Sequence, residues 1–218
     1  MSSSNRSIAA VRGENCNPAC LRGSGFAEPG PELTPVSALP AGVLPPHSMP
    51  AAVAAELRTD HAGETGAVCI YQGVLAITRD PALRAFALRH LATERSHLQR
   101  IEAWLAPAHR SRLLPLWKVA GWMTGALPAL LGPRAVYGTI EAVERFVELH
   151  YAQQIEHLHS IPELTSLRQT LIDCQGDEHA HRAEAAAARG TAAGMLLRAW
   201  ACLVGAGSRG AVADCRHI

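Results

Sequence analysis

The sequence has a single lysine, Lys118, among 20 basic residues; the rest are arginine, a skew that carries no mechanism. Acidic residues number 19, so the formal net charge is +1 and nothing in it invites nucleic acid. The 6 cysteines (Cys16, Cys20, Cys69, Cys174, Cys202 and Cys215) form no framework of the kind that staples small secreted domains. In a chain this long they read as reduced thiols. Cys16 and Cys20 stand at metal-ligand spacing, but no second pair accompanies them. Cys69 and Cys174 fall within helical patterns and are expected as small core residues. The N-terminal stretch lacks the apolar run of a secretory signal. No glycine-rich dinucleotide fingerprint is present, so no built-in nicotinamide or flavin domain is expected.

What is present divides in two. Residues 1–48 are rich in Ser, Gly and Pro, and Pro29, Pro31, Pro35, Pro40, Pro45 and Pro46 forbid a long helix. This stretch is expected to be a disordered leader. Residues 49–218 read as one all-α domain, and the apolar fraction of 48% suffices for its core. Apolar residues at mostly helical spacing predict helices near 50–78, 81–105, 133–159 and 162–189. Asp80-Pro81 closes the first and starts the second. Gly63 and Gly66 sit inside the first helix, where glycine is unfavourable, which implies close approach by another element. Two further apolar segments, near 113–133 and 191–207, are too short to span a bilayer. The first carries Trp117, Trp122 and Lys118 and suits a membrane interface; a buried crossover between bundle halves is the alternative. Gly190 and Gly194 interrupt the fourth helix, and Ser208–Ile218 is expected to fray.

Four acidic stretches organise the domain. Glu64 follows Asp60-His61-Ala62-Gly63; Glu94-x-x-His97, Glu144 and Glu178-x-x-His181 come after it in order. Positions i and i+3 share a helix face, so each Glu-x-x-His aims a carboxylate and an imidazole the same way. A Glu from each of two helices plus a Glu-x-x-His from each of the others is the ligand set of a carboxylate-bridged di-iron or di-manganese bundle. Four carboxylates and two imidazoles suit iron or manganese better than zinc. Glu64 and Glu144 are expected as terminal ligands, Glu94 and Glu178 as bridges, and His97 and His181 as one ligand for each ion. His179 points elsewhere. Asp177 is the expected hydrogen-bond partner of His97 across the bundle. His150 and Tyr151 follow Glu144 at helical spacing and project to its side.

The stretches Asp60-His61-Ala62-Gly63-Glu64-x-Gly66-Ala67, Ile70-Tyr71, Glu94-x-x-His97, Pro115-Leu116-Trp117, Ala142-Val143-Glu144, His150-Tyr151 and Glu178-x-x-His181 resemble demethoxyubiquinone hydroxylase over about residues 55–215. One departure is Val74, where many members of that family carry Gln. The resemblance implies a ferritin-like four-helix bundle with a di-iron centre and two short apolar membrane-interfacial helical segments. It implies oxygen-dependent hydroxylation of the quinone ring of a demethoxyubiquinone precursor of the 2-polyprenyl-3-methyl-6-methoxy-1,4-benzoquinol type, within ubiquinone biosynthesis. Glu64, Glu94, His97, Glu144, Glu178 and His181 would hold two Fe ions. Tyr71, His150 and Tyr151 would line or support the substrate channel. Oxygen is the implied co-substrate, and reducing equivalents come from outside, from NADH or a reduced quinone. The implied partners are a polyprenyl quinol substrate, a membrane surface and a lipid-presenting protein of the same biosynthesis. The implied location is the cytoplasmic face of a bacterial inner membrane, or the matrix side of a mitochondrial one. Another ferritin-like di-iron oxidase and an iron-binding ferroxidase are the competing readings. The two apolar segments argue against both.

Overall fold

The computed structural model describes residues 49–190 and 195–216. The expected leader, Cys16, Cys20 and Gly194 lie outside the described residues. Six α-helices account for nearly all of the rest: α1 (Ala51–Ile77), α2 (Pro81–Glu102), α3 (Leu114–Leu131), α4 (Pro133–Leu158), α5 (Thr165–Arg189) and α6 (Met195–Cys215). Their joints follow local chemistry. Asp80 caps α2, its carboxylate accepting from the Leu83 amide at 2.8 Å, with Pro81 in the first turn. Gly132 adopts a positive φ of 102° between α3 and Pro133, a conformation that only glycine tolerates cheaply, so two helices join there without a loop. Gly190, at φ 74°, ends α5.

The bundle is α1, α2, α4 and α5, with α1 packed on α2 and α4 on α5. Its interior is layered. One apolar cluster gathers Tyr71, Val74, Phe86, Leu91, Tyr137 and Ile140; the other gathers Leu57, Ile101, Leu105, Leu164, Leu167 and Leu171. Val74 is thus a core residue. Cys174 belongs to the second cluster, and Cys69 is buried too. Between these clusters every helix passes its Glu and His residues. The polar layer is therefore closed off from water at both ends.

The apolar segment near 113–133 is α3, and it has two faces. Its small residues pack along α1. A Cβ added to Gly121 would strike the Gly66 carbonyl, one on Gly125 the Ile70 carbonyl, and one on Gly73 the Trp122 carbonyl. The two backbones touch because glycines stand on both sides. The expected close approach therefore occurs at the Gly66 backbone but not at Gly63, which is exposed and has nothing near its open side. The large apolar residues of α3 face outward, Val119 at 62%, Leu130 at 68% and Leu131 at 83% exposure. No helix among the described residues is long and apolar enough to cross a membrane.

The C-terminus corrects an expectation. Where fraying is expected from Ser208 on, α6 continues to Cys215, and its end is tied down. Cys215 is buried and receives the Trp117 indole N–H at 2.8 Å. Arg216 pairs with Glu56 at 2.9 Å, and Arg58 donates to the Arg216 carbonyl at 3.2 Å. Polar and small residues at a chain end look loose in sequence, and their tertiary partners here lie on α1 and α3.

Candidate metal centre

The polar layer brings together all six residues of the Glu and Glu-x-x-His pattern. Glu64 on α1, Glu94 and His97 on α2, Glu144 on α4, and Glu178 and His181 on α5 are all buried. They form two overlapping groups, Glu64, Glu94, His97 and Glu178, and Glu94, Glu144, Glu178 and His181, each with its ligand atoms within 4.8 Å of one another. Glu94 and Glu178 belong to both. Both histidines turn Nδ1 inward. His97 Nδ1 lies 2.9 Å from Glu178 Oε1, and His181 Nδ1 lies 3.1 Å from Glu94 Oε1.

These atoms do not satisfy one another. Glu64 Oε2, Glu94 Oε1, both Glu178 carboxylate oxygens and both Nδ1 atoms are buried without a properly directed hydrogen bond. Their lone pairs converge on common points, which is what a cation requires and what a hydrogen-bonded cluster avoids. Electrostatics agree. Burial first, and neighbouring carboxylates second, push Glu64 up to about 7 and Glu94 and Glu144 well above the usual range. Burial also raises Glu178, but the close imidazoles of His181 and His97 overcome this and hold it low. Burial lowers His97, but Glu178, Glu64 and Asp177 together bring it up to about 9. So many unbalanced carboxylates in a dry layer are tolerable with positive charge among them. The donor set fits a pair of hard-to-borderline metal ions.

Two tyrosines brace the glutamates found in only one group, each from the opposite helix. Tyr71 on α1 donates to Glu144 Oε1 at 3.1 Å, and Tyr151 on α4 donates to Glu64 Oε1. Burial and nearby carboxylates raise both phenols well above normal, so they stay protonated and act as donors. Tyr151 shares the inward side of α4 with Glu144, as its spacing implies, and its hydroxyl reaches across the bundle to Glu64. Asp177 Oδ2 lies 3.0 Å from His97 Nε2, across the α2–α5 interface. A proton on Nε2 directed at Asp177 leaves Nδ1 bare toward the cage. His179 points away from the cage, as expected, and lies exposed 3.2 Å from Glu148.

Sequence reading missed His90. It is buried, its ring centroid stands 4.0 Å from that of His181, and its Nε2 lies 3.0 Å from Glu184 Oε2. The signal was its place four residues before Glu94, on the same face. Gln154, which donates to Asp60 Oδ1 at 2.6 Å, was missed as well.

A cavity of about 390 Å³ reaches the layer from the side covered by α3 and α6. Glu64, Glu94, Glu144 and Glu178 line its inner end, and Trp117, Gly121, Trp200 and Leu203 line the outer part. His150 and Tyr151 also line it; Tyr71 supports the cage from behind.

Helical bundle, inward Glu-x-x-His pairs and shared carboxylates together define the ferritin-like class of carboxylate- and histidine-lined metal bundles. The family model described as "Ubiquinone biosynthesis protein COQ7" matches residues 51–215. The chain belongs to the COQ7 family. It is 42% identical over 119 residues to the 3-demethoxyubiquinol 3-hydroxylase of Rhodospirillum rubrum, covering 53% of this chain and 56% of that one. It is 34% identical over 161 residues to the enzyme of that name from Dechloromonas aromatica, covering 71% and 76%. To the rat mitochondrial NADPH-dependent 3-demethoxyubiquinone 3-hydroxylase it is 39% identical over 111 residues, covering 50% and 51%. The chain thus spans about half to three quarters of the length of these relatives.

Proposed function

We propose that this chain hydroxylates the ring of a demethoxyubiquinone precursor, a prenylated methyl-methoxy-benzoquinol, using two iron ions and molecular oxygen at a membrane surface. The observation that carries the reading is an apolar cavity ending on a buried cage of four carboxylates and two imidazoles. Glu94 and Glu178 would bridge the ions; Glu64 with His97, and Glu144 with His181, would complete one site each. When bound, the iron pair supplies oxygen activation, one oxygen atom going to the ring and the other to water with two electrons and two protons from outside.

The residues of the chain do the rest. Tyr71 and Tyr151 fix the rotamers of Glu144 and Glu64. The apolar clusters on both sides of the layer keep water out. The α3 and α6 walls receive the ring and let the prenyl tail leave toward the apolar outer face, where Leu116, Val119, Leu130 and Leu203 are exposed. A polyprenyl tail partitions into a bilayer, so this face would rest on the membrane. The cytoplasmic face of a bacterial inner membrane is the location this reading favours, the matrix side of a mitochondrial one the alternative. The electrons come from an external donor, NADH or the quinol itself; the rat relative's name carries NADPH. A lipid-presenting partner would deliver the substrate, and O-methylation of the new hydroxyl would follow on another enzyme.

Iron per chain, with Glu178→Ala beside the wild type, tests the reading. About two irons, lost in the variant, followed by a one-oxygen mass gain on a prenylated methyl-methoxy-benzoquinol with oxygen and reductant, support it. No iron, or iron indifferent to Glu178→Ala, sinks it.

A further inference from the structure

Glycine inside a helix is unfavourable, so each one there needs a reason. On the seam between α1 and α3 the reason is contact: a Cβ on Gly73, Gly121 or Gly125 would run into the backbone of the facing helix. Gly63 has no such reason. It sits in the middle of α1, its φ is not positive, and a Cβ built on it meets no atom within 4 Å. The fold by itself would accept alanine there.

What Gly63 faces is the cavity. It lines the wall, and so do its neighbours on the same side of α1: Thr59 and Asp60 at i−4 and i−3, Gly66 and Ala67 at i+3 and i+4, and Ile70 at i+7. Gly63 is therefore the centre of the α1 face turned to the cavity, one residue before Glu64 of the cage. Gly66 shares this face, but the α3 backbone also passes against it, so the bareness of Gly63 serves the cavity alone. With no side chain at 63, the helix backbone itself is the floor beside the cage.

We propose that Gly63 is a specificity-determining residue: its bare backbone makes the room in which a flat ring bearing a methyl and a methoxy group lies against α1 beside Glu64. This rests on the hydroxylase reading above. A Cβ at 63 would take part of that room from the ring while helping the helix. Stability and recognition then pull in opposite directions at one position, which marks a glycine that serves a ligand and not the fold.

Equilibrium dialysis under argon tests it, with the as-isolated full chain and with iron content and Tm measured alongside. The probes are a mono-prenylated methyl-methoxy-benzoquinol and a mono-prenylated benzoquinol without the methyl and methoxy groups. Gly176→Ala is the control: Gly176 is exposed on α5, its open side also meets nothing, and it lies off the cavity. Both Gly63→Ala and Gly176→Ala are expected to raise Tm by about 2 °C, the gain from replacing glycine by alanine inside a helix. Gly63→Ala alone is expected to weaken the substituted quinol about tenfold, the low end for one added carbon in an apolar pocket, and to leave the plain quinol within about twofold. Gly63→Leu should deepen the loss with iron retained. Unchanged binding of the substituted quinol in both Gly63 variants overturns the proposal. So does an equal loss for the two quinols, which would mean a general distortion. A fall in Tm for Gly63→Ala overturns it too, because the fold would then need that glycine. A wild type that binds neither quinol removes the hydroxylase reading as well, whereas wild-type binding indifferent to position 63 leaves that reading standing.

Discussion

Asp177→Asn is the sharpest test of how the cage is held. The Asp177 carboxylate lies 3.0 Å from His97 Nε2 and is 46% exposed. Asparagine keeps an acceptor oxygen at nearly the same place, so what is removed is mainly charge. Outer partners of ligating histidines are worth about 10- to 100-fold in metal affinity. Half-exposure to water screens the charge and puts this one near tenfold, about 1.4 kcal/mol. The loss should fall on one ion only, because Asp177 reaches His97, and His97 belongs to the group with Glu64. His181, in the other group, rests on the His90 ring with centroids 4.0 Å apart. Titrating metal-free protein with Co(II), followed by its visible bands, should resolve two steps in wild type. In Asp177→Asn one step should weaken about tenfold and the other stay put. Equal weakening of both steps, or of neither, would refute the reasoning.

Two further outcomes follow from charge and exposure. Without metal, His97 titrates near 9 when folded, above its ordinary 6.5. The folded state therefore keeps a proton that the unfolded chain releases. That stability is complete below about 6.5 and is lost as pH rises to about 9, by up to about 3 kcal/mol. Glu94 and Glu144, also raised, act with the same sign. The Tm of metal-free protein should fall across this window, and the gain from added metal should grow, since ligation needs Nδ1 bare; a flat metal-free Tm argues against the buried cage. On the outer face, Leu116→Glu, Val119→Glu and Leu130→Glu together should abolish co-sedimentation with lipid vesicles while leaving Tm and metal content unchanged, because all three side chains are exposed. Undiminished sedimentation would remove α3 as the docking face.

The legible part of this protein is what repeats at helical spacing. Four bundle helices and their six inward Glu and His residues follow from i, i+3 and i, i+7 relations within single segments, and each was readable before any fold was known. Asp177 was readable because it adjoins Glu178. What was opaque depends on which helix lies opposite. That the Tyr151 hydroxyl meets Glu64 is a matter of cross-bundle reach. The tight seam of α3 on α1 is half visible in sequence: Gly66 stands inside a helix, but its partner Gly121, and Gly73 and Gly125 further along, gain meaning only from the pairing of the helices. The anchoring of Cys215 by Trp117, nearly a hundred residues away in sequence, leaves no local signature at all.

The two halves of the bundle nearly repeat, and where they differ is informative. Tyr71 stands seven residues after Glu64, and Tyr151 seven after Glu144; each braces the other's glutamate. Each half then adds one Glu-x-x-His. The candidate metal cage is thus duplicated. The surroundings are not. Four residues before Glu64 stands Asp60, but before Glu144 the same position is Ile140, buried in an apolar cluster. Next to Glu178 is Asp177, next to Glu94 is Thr93. Four before Glu94 is His90, four before Glu178 is Cys174, also in the core. A pure storage or scaffold bundle has no need of such departures, since both halves would face the same task. A bundle that offers its ions to a ligand from one side does need them. The cavity lies against α1 and α4 under α3 and α6, and Asp60 lies on its wall while Ile140 does not. The asymmetry and the cavity therefore point to one and the same side, the side on which chemistry with an organic ring would occur.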